Sequence, residues 1–387
     1  MNDDLAQSIL SYLRERTPVM IDSLTQLVSA ESPSTVPQSQ EAVLSMLGER
    51  LSRMHYEVWR LKGRNCGGHL YARPRRRNRR SVQLLLGHCD TVWPLGTLKE
   101  MPVTLSEGIL RGPGSYDMKA GLVQMLEALE VLQMFELQPP LIPLVFINSD
   151  EEIGSRDSTQ HIRRLARVAE RVMVLEPSLG LNGKLKTARK GVGRFTVTVK
   201  GKAAHAGLNP ESGASAILEL SYVIQKLFGL NDPEAGISVN VGTIDGGLSS
   251  NVVAPESRAS VDVRVVTAED AHRIEQSILA LTPVTPGVKL EIEGRIGRSP
   301  MVRTPANQTL WQAAKEIGQR IGLDLEQGLA GGGSDGNTTS LYVATLDGMG
   351  AVGDGAHARH EFVVCDQMAE RSALLALLLL TPSLTGS

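Results

Sequence analysis

The sequence predicts an α/β fold in which helices cover both faces of a mixed, largely parallel sheet, with a small α+β domain inserted. Short apolar runs at 82–87, 141–147 and 172–176 end in polar residues, as strands buried on both faces do. Residues 119–137 repeat apolar side chains at helical spacing, which indicates a crossover helix. From about residue 189 the pattern changes to the alternation of an antiparallel sheet.

The chain has 387 residues, more than a single core usually serves, so two domains are expected. Apolar positions at helical spacing predict two amphipathic helices in the first sixty residues and a buried helix at the C-terminal end. Residues 189–298 read as strand-helix-strand-strand-helix-strand, a ferredoxin-like order. We therefore predict that residues 1–188 and 299–387 form one large domain, interrupted by this small one.

The composition, 42% hydrophobic with a formal net charge of −2, is that of a globular protein with no field that would gather nucleic acid or an anionic membrane. The acidic start is unlike a signal peptide, and no run of about 18 uncharged apolar residues occurs. Cys66, Cys89 and Cys365 form neither a disulfide framework nor a metal-binding spacing. We expect a cytoplasmic protein without membrane or nucleic-acid partners.

A basic tract, RPRRRNRR at 73–80, is the one biased segment. It has no aromatic residues on which bases would stack, so a solvated loop is expected. An anion-binding patch is the alternative.

Acidic residues and histidines follow the predicted strands. In LLLGHCDTV, His88 and Asp90 stand two apart at a strand end, where the aspartate can hold the imidazole by its second nitrogen. Asp117 lies in the glycine-rich RGPGSYDMKAG before the crossover helix, and capping that helix is the alternative role. These positions suit a metal site at the carboxyl edge of the sheet.

Three consecutive carboxylates, Asp150, Glu151 and Glu152, end another predicted strand. Like charges at a sheet edge are costly unless cations or protons compensate, although a solvated acidic loop is also possible. Glu176 ends the strand VMVLE. His357 lies in a glycine-flanked loop four residues before Glu361, and the nearby His360 is an alternative to it.

Together these segments resemble the aminoacylase and glutamate carboxypeptidase superfamily of two-metal peptidases, and among its branches the bacterial glutamate carboxypeptidases. The likeness covers nearly the whole chain and runs through GHCDTV, GPGSYDMKAG, NSDEEIGSRD, LEPS, GKAAHAG, SSNVVAPE with VDVR, GGGSDGN and LDGMGAVGDGAHARHEFV. It implies a zinc-peptidase-like catalytic domain and an inserted dimerisation or lid domain.

The resemblance implies that Asp117 bridges two divalent ions, with Glu152 and His357 completing one site and His88 and Glu176 the other. Glu151 would be the general base, and Asp90 would orient His88. Zinc is the expected metal, although carboxylates and imidazoles also serve cobalt and manganese.

For the inserted domain, the resemblance implies that His205 stabilises the oxyanion, in some relatives across a dimer interface. Asn251, Arg264 and Arg298, with Gly333 of the glycine-rich loop, match positions that hold the substrate, although Arg264 has the alternative of pairing with an acid of its own sheet. A guanidinium suits Arg298 to a carboxylate clamp. Cys89 is expected to pack rather than bind metal.

The predicted activity is hydrolysis of an amide or peptide bond next to a free carboxylate in a small N-acyl amino acid or peptide. An N-acyl-amino-acid deacylase of the same chemistry is the first alternative. A catalytically inactive binding protein on the same fold is the second. A homodimer formed through the inserted domain is also expected from the resemblance.

Overall fold

The computed structural model describes residues 3–75 and 81–384 of the chain. The chain divides into two compact units. The first comprises Met1–Thr187, Arg303–Leu329 and Ser334–Ser387, and the second comprises Ala188–Val302 and Ala330–Gly333.

The first unit is built on a six-stranded sheet with the order β1-β2-β6-β3-β7-β14. Its strands are β1 (Tyr56–Leu61), β2 (His69–Pro74), β3 (Val82–His88), β6 (Ile142–Asn148), β7 (Ala169–Val174) and β14 (Ala344–Leu346). The strands β6, β3, β7 and β14 run parallel to one another, whereas β2 pairs antiparallel with β6 and β1 pairs antiparallel with β2. The sheet is therefore mixed and largely parallel.

Helices cover both faces of this sheet. They are α1 (Asp3–Glu15), α2 (Thr17–Ser29), α3 (Gln40–Arg53), α4 (Ala120–Met134), α5 (Thr159–Val168), α8 (Pro305–Arg320), α9 (Asp335–Thr339) and α10 (Met368–Leu379). Leu85, Val145 and Met173 join a core that includes α4 and α10. Their strand neighbours Leu84 and Phe146 pack on the other face, with α5. Burial on both faces explains why these strands read as continuous apolar runs.

A second, smaller antiparallel sheet of the first unit has the order β15-β16-β5-β4. Its strands are β4 (Thr104–Ser106), β5 (Ile109–Arg111), β15 (Gly353–Asp354) and β16 (Phe362–Val364). Because Phe362 pairs with Arg111, the loop between β15 and β16 lies beside the glycine-rich turn that follows β5. The strands β8 (Leu185–Arg189) and β13 (Gln327–Ala330) complete the elements at the boundaries of the units.

The second unit is an antiparallel sheet with the order β10-β11-β9-β12 and two helices. Its elements are β9 (Gly191–Lys200), α6 (Ala216–Phe228), β10 (Ser238–Gly246), β11 (Glu256–Val265), α7 (Ala268–Leu279) and β12 (Lys289–Arg298). Alternate residues such as Phe195, Val197 and Val261 form its core with the apolar faces of the helices. The element order is strand-helix-strand-strand-helix-strand.

The predicted fold class is confirmed by this α/β architecture, and the apolar C-terminal tract forms α10, which is buried along nearly its whole length. The prediction of two helices before residue 60 is wrong, because the chain forms three. The missed helix, α2, begins after a break at Arg16, carries Pro18 in its first turn and has buried residues at helical spacing, among them Met20, Leu24 and Leu27. None of the helices in 3–75 and 81–384 combines the length and apolar character that crossing a membrane requires.

Most of the basic tract at 73–80 lies outside the described residues, so its expected loop is not tested. Within the described part, Arg73 pairs with Glu57 on the neighbouring strand, with 3.0 Å between Nη2 and Oε2. Its guanidinium also lies 5.0 Å from the centre of the Trp59 ring.

Candidate metal centre

Three parallel strands bring three of the predicted ligands to one edge of the main sheet. His88 is the last residue of β3, Glu152 follows the end of β6, and Glu176 follows the end of β7. Since β6, β3 and β7 are parallel neighbours, their carboxyl ends meet at the same edge. The side chains of His88 and Glu152 are 2% and 7% exposed, so these two side chains are largely shielded from water.

Asp117 lies in the turn Ser115–Lys119, immediately before α4. Gly114, just before this turn, has a φ of +72°, a conformation that only glycine adopts without strain. A Cβ at this position would also overlap the side chain of Thr91. The peptide bond between Asp117 and Met118 is cis.

The carboxylate of Glu361 fixes the turn that carries Asp117. Its Oε1 accepts N–H groups of Tyr116 at 2.9 Å and Asp117 at 3.0 Å. Its Oε2 accepts the N–H of Gly114 at 2.9 Å and the indole N–H of Trp93 at 2.8 Å. A fully buried charge thereby orders the turn through four charge-assisted hydrogen bonds.

His357 lies in the loop between β15 and β16, which the small sheet holds beside the Asp117 turn. Its φ is +62°, which is uncommon for a residue with a side chain but is adopted by histidine more often than by most residue types. Its side chain is 53% exposed, far more than those of the other predicted ligands.

The five predicted ligands form two groups that share Asp117. In one, Nε2 of His88 lies 3.3 Å from Asp117 Oδ1 and 3.4 Å from Glu176 Oε1. In the other, Nε2 of His357 lies 3.5 Å from Asp117 Oδ2 and 3.1 Å from Glu152 Oε2. The two oxygens of one carboxylate therefore face two different groups, the geometry that a bridging ligand needs.

Three buried polar atoms of this cluster have no hydrogen-bond partner among the described residues. They are His88 Nε2, Asp117 Oδ1 and Glu152 Oε1. Buried polar atoms are nearly always paired, so these three point to a cation as the missing partner. Imidazole and carboxylate donors suit a divalent ion such as zinc, so the residues fit two metal ions.

The electrostatics of the cluster agree with this conclusion. Burial, with the negative charge of Asp117, raises the pKa of Glu152 to about 7. Hydrogen bonding to Asp117 and Glu152 raises the pKa of His357 to about 11. Burial lowers the pKa of His88, but its acidic neighbours outweigh burial and raise it overall. The residues alone therefore retain protons that bound cations would displace.

Asp90 contacts the cluster through both its backbone and its side chain. The backbone carbonyl of Asp90 lies 3.0 Å from His88 Nδ1, and its carboxylate Oδ1 lies 3.5 Å from the same nitrogen. The carboxylate also accepts the N–H groups of Glu151 and Glu152, each at 3.2 Å, and the hydroxyl of Ser34 at 2.7 Å. Asp90 thus ties the acidic turn to the end of β3.

The other predicted residues lie in the second unit. His205 is exposed, and its Nδ1 accepts the N–H of Gly207 at 3.1 Å. The Oδ1 of Asn251 accepts the hydroxyl of Ser249 at 2.8 Å. Arg298 ends β12.

Arg264 pairs with an acid of its own sheet, the alternative to a contact with substrate. Its Nε donates to Asp262 Oδ1 at 2.7 Å, and its Nη2 donates to Oδ2 at 3.1 Å. Gly333 precedes Ser334, whose side chain caps α9. Arg264 is thus engaged with an acid of its own strand.

The structure shows where His357, His360 and Cys89 lie. His357 lies in the cluster, whereas His360 is exposed and is not among the grouped ligands. Cys89 is 1% exposed and belongs to the main hydrophobic core, as expected for a packing residue. The sequence did not reveal the role of Glu361, although its spacing from His357 was a usable signal.

A largely parallel α/β sheet whose carboxyl edge carries two ligand groups joined by one aspartate defines a metal-dependent hydrolase of the two-metal class. Residues 84–381 match the family model described as peptidase family M20/M25/M40. The chain belongs to this family, and the resemblance inferred from its motifs is confirmed.

Individual relatives agree with the family. The chain is 26% identical over 376 residues to carboxypeptidase G2 of Pseudomonas sp. (strain RS-16), covering 95% of this chain and 90% of that protein. It is 24% identical over 363 residues to succinyl-diaminopimelate desuccinylase of Dechloromonas aromatica, covering 88% of this chain and 93% of that protein. The crystal structure of YXEP of Bacillus subtilis, described as a dinuclear metal-binding peptidase of the M20 family, has a TM-score of 0.67 at 15% identity and covers 96% of this chain and 98% of its own.

Proposed function

We propose that this hydrolase uses two divalent metal ions to cleave an amide bond next to a free carboxylate in a small N-acyl amino acid or peptide, as a glutamate-carboxypeptidase-like enzyme. The observation that carries the proposal is the pair of ligand groups that share Asp117. The likeness to carboxypeptidase G2 over 95% of the chain favours a carboxypeptidase.

In this proposal both ions would share Asp117 as a ligand. His88 and Glu176 would complete one site, and Glu152 and His357 would complete the other. The three ligand carboxylates and the ionised general base Glu151 together balance the charge of two dications. The contacts of His88 and His357 with Asp117, at 3.3 and 3.5 Å, support this assignment.

When bound, the two ions would polarise the scissile carbonyl and lower the pKa of the attacking water. Glu151, next to the ligand Glu152, would take the proton of that water and pass it to the leaving nitrogen. Asp90 orients His88 through its backbone carbonyl and holds the turn of Glu151 through its carboxylate.

The second unit would supply the remaining groups. We propose that it is the inserted domain predicted at 189–298, that His205 stabilises the oxyanion and that Arg298 binds the substrate carboxylate through two parallel hydrogen bonds. Asn251 and Gly333 would complete the substrate contacts. For Arg264, the ion pair with Asp262 favours the alternative of a role within its own sheet over substrate binding.

The mechanism predicts that Glu151→Gln retains both metal ions and loses turnover by about 10²- to 10⁴-fold, the usual contribution of a general base. Metal analysis and kcat on an acyl-glutamate measure the two effects. Glu49→Gln is the matched control, because Glu49 is 70% exposed on α3. Undiminished hydrolysis by the Glu151 variant would refute the mechanism.

An N-acyl-amino-acid deacylase is the second candidate, and the likeness to succinyl-diaminopimelate desuccinylase over 88% of the chain favours it. A panel of acyl-glutamates, acetylated and succinylated amino acids and dipeptides, run after metal reconstitution, separates the two activities. Highest kcat/KM on acyl-glutamates supports the carboxypeptidase, and highest kcat/KM on acetyl or succinyl substrates supports the deacylase. No hydrolysis of any substrate by the metal-loaded protein would support a binding protein.

The proposal extends to the metal, the cellular location and the oligomeric state. We propose zinc as the metal, with cobalt or manganese as alternatives, since histidine and carboxylate ligands serve all three. A cytoplasmic location is supported by three free, buried cysteines, which a reducing compartment preserves. A homodimer through the second unit is supported by exposed apolar residues there, including Leu208 and Leu248.

A further inference from the structure

A second kind of ligand group lies in the first unit, apart from the five residues of the centre. Cys66, His69 and Asp150 are buried, and one ligand atom of each lies within 4.8 Å of the others. Cys66 lies in the loop between β1 and β2, and His69 is the first residue of β2. Antiparallel pairing of β2 with β6 brings them beside Asp150, two residues past the end of β6.

Two of these residues hold polar atoms that the described residues leave unpaired. His69 Nδ1 and Asp150 Oδ1 are buried without a hydrogen-bond partner, and both residues are 1% exposed. The other oxygen of Asp150 is satisfied, since it accepts the N–H groups of Asp157 at 2.7 Å and Ser158 at 3.2 Å. The unpaired atoms belong to residues of one group, which indicates a missing partner within it.

The loop that carries Cys66 packs closely against its thiol. A Cβ on Gly63 would lie 2.5 Å from Cys66 Sγ, and one on Gly67 would lie 2.6 Å from Pro37 O, so neither position has room for a side chain. Oδ2 of Asp157 accepts the N–H groups of Arg64 and Asn65, both at 2.7 Å. The loop is thus fixed in the conformation that presents Cys66.

Cys66 and His69 are separated by two residues, a spacing that lets two neighbouring side chains bind one ion. The three cysteines show no metal-binding spacing among themselves, so only the pair of Cys66 with His69 reveals it. The third member, Asp150, is remote in sequence and is supplied by the sheet.

We propose that Cys66, His69 and Asp150 bind a further divalent cation of the zinc type, separate from the two ions of the proposed catalytic centre. Thiolate, imidazole and carboxylate together favour a borderline ion such as Zn²⁺ over Mg²⁺ or Ca²⁺, which require oxygen ligands. All three residues are buried, so an ion bound to them would fix the β1–β2 loop to the turn that begins at Asp150.

Binding of an ion to this group requires a neutral imidazole and a deprotonated thiol. Burial lowers the pKa of His69, which favours the neutral imidazole that can bind a cation. Burial raises the pKa of the Cys66 thiol, and its S–H donates to Asp157 Oδ2 at 3.6 Å, a weak bond that an ion would replace. Binding forms the metal–sulfur bond and releases the thiol proton to solvent.

X-ray absorption at the zinc edge of the zinc-loaded wild-type protein tests the proposal without any substitution. A sulfur scatterer at about 2.3 Å is expected, because the five ligands of the catalytic centre include no sulfur. A shell of nitrogen and oxygen alone, in protein that has bound all the zinc it can hold, would overturn it.

Substitution of single cysteines identifies the residue that supplies the sulfur ligand. Cys66→Ser should lower the bound zinc from three ions per chain to two and abolish the sulfur scatterer. Cys365→Ser is the matched control, since Cys365 is also a buried free thiol but belongs to no ligand group among the described residues, and it should retain three ions. Retention of the sulfur scatterer and of three ions in Cys66→Ser would overturn the proposal.

The proposal does not depend on the proposed catalytic centre, and Asp117→Asn separates the two. That variant should lose the two catalytic ions and keep one zinc with a sulfur ligand. If instead the wild type binds two ions without sulfur, the further site fails and the catalytic centre stands.

Discussion

Glu361 shows how the position of a proposed ligand, Asp117, depends on a residue outside the ligand groups. Its two oxygens accept three backbone N–H groups around Asp117 and the indole N–H of Trp93. These bonds determine where the backbone of Asp117 lies, and therefore where the carboxylate that joins both ligand groups can reach. Glu361 is a positioning residue.

We predict that Glu361→Gln weakens metal binding by about 10- to 100-fold, the usual effect of removing an outer partner of a metal ligand. The amide keeps one oxygen, but its NH₂ group would face N–H donors that now need an acceptor. Competition with a chelator measures the affinity. Asp366→Asn is the control, because Asp366 is an exposed acid near the same strand. Unchanged affinity in a folded Glu361 variant would contradict the prediction.

At the scale of elements, the contact of α4 with the segment following β7 requires a glycine. A Cβ on Gly121 in the first turn of α4 would overlap the carbonyl oxygen of Leu175. Gly48 of α3 is different, since a Cβ there would lie 3.3 Å from the flexible end of Leu70. Both glycines are helical, but only one approaches backbone.

We therefore predict that replacing glycine by alanine destabilises the protein more at position 121 than at position 48. Gly121→Ala should lower the free energy of unfolding by about 1–3 kcal/mol, because overpacking against rigid backbone outweighs the better helix propensity of alanine. Gly48→Ala should leave it within about 1 kcal/mol of wild type, or raise it. Urea denaturation measures both, and equal effects would show that the close approach at Gly121 is not limiting.

At the scale of the molecule, bound metal should stabilise the fold. The proposed ligands come from the ends of three strands, the turn before α4 and the β15–β16 loop, so ions that bind them link distant parts of the first unit. An ion present at 1,000 times its Kd adds about 4 kcal/mol of stability.

Chelation should accordingly lower the Tm, and added zinc should restore it. Differential scanning fluorimetry with parallel metal analysis measures this. Asp117→Asn should show a much smaller shift on chelation, because its main centre is already lost. An unchanged Tm after the ions are shown to have left would argue against a stabilising role.

The proposed homodimer makes a separate prediction at this scale. In the second unit, β10 is an edge strand, and its Ile244 is 67% exposed. Leu248, just beyond the strand, is 75% exposed, so apolar surface accompanies an unpaired sheet edge.

Replacing Ile244 and Leu248 together by Arg should convert the dimer into monomers, as measured by analytical ultracentrifugation. Val168→Arg is the control, because Val168 is 63% exposed but lies in the first unit. A wild-type protein that is monomeric at micromolar concentration would exclude the dimer.

The sequence by itself determined the fold class and the metal-dependent hydrolase function. Strands buried on both faces must be apolar along their length, and the polar residues that follow them mark the edge where ligands gather. The motifs around His88, Asp117 and Glu152 are local, so they are legible without coordinates. The RPRRRNRR tract carried no comparable signal.

Which side chains from different elements lie together depends on the tertiary structure. The distance of His357 from Asp117, the four bonds to Glu361 and the engagement of Arg264 with Asp262 depend on how separate elements pack. The group of Cys66, His69 and Asp150 depends on the pairing of β2 with β6, which joins residues about eighty positions apart. Periodicity reports the environment of a residue along its own element, whereas a binding site is made by side chains that the sheet brings together from different elements.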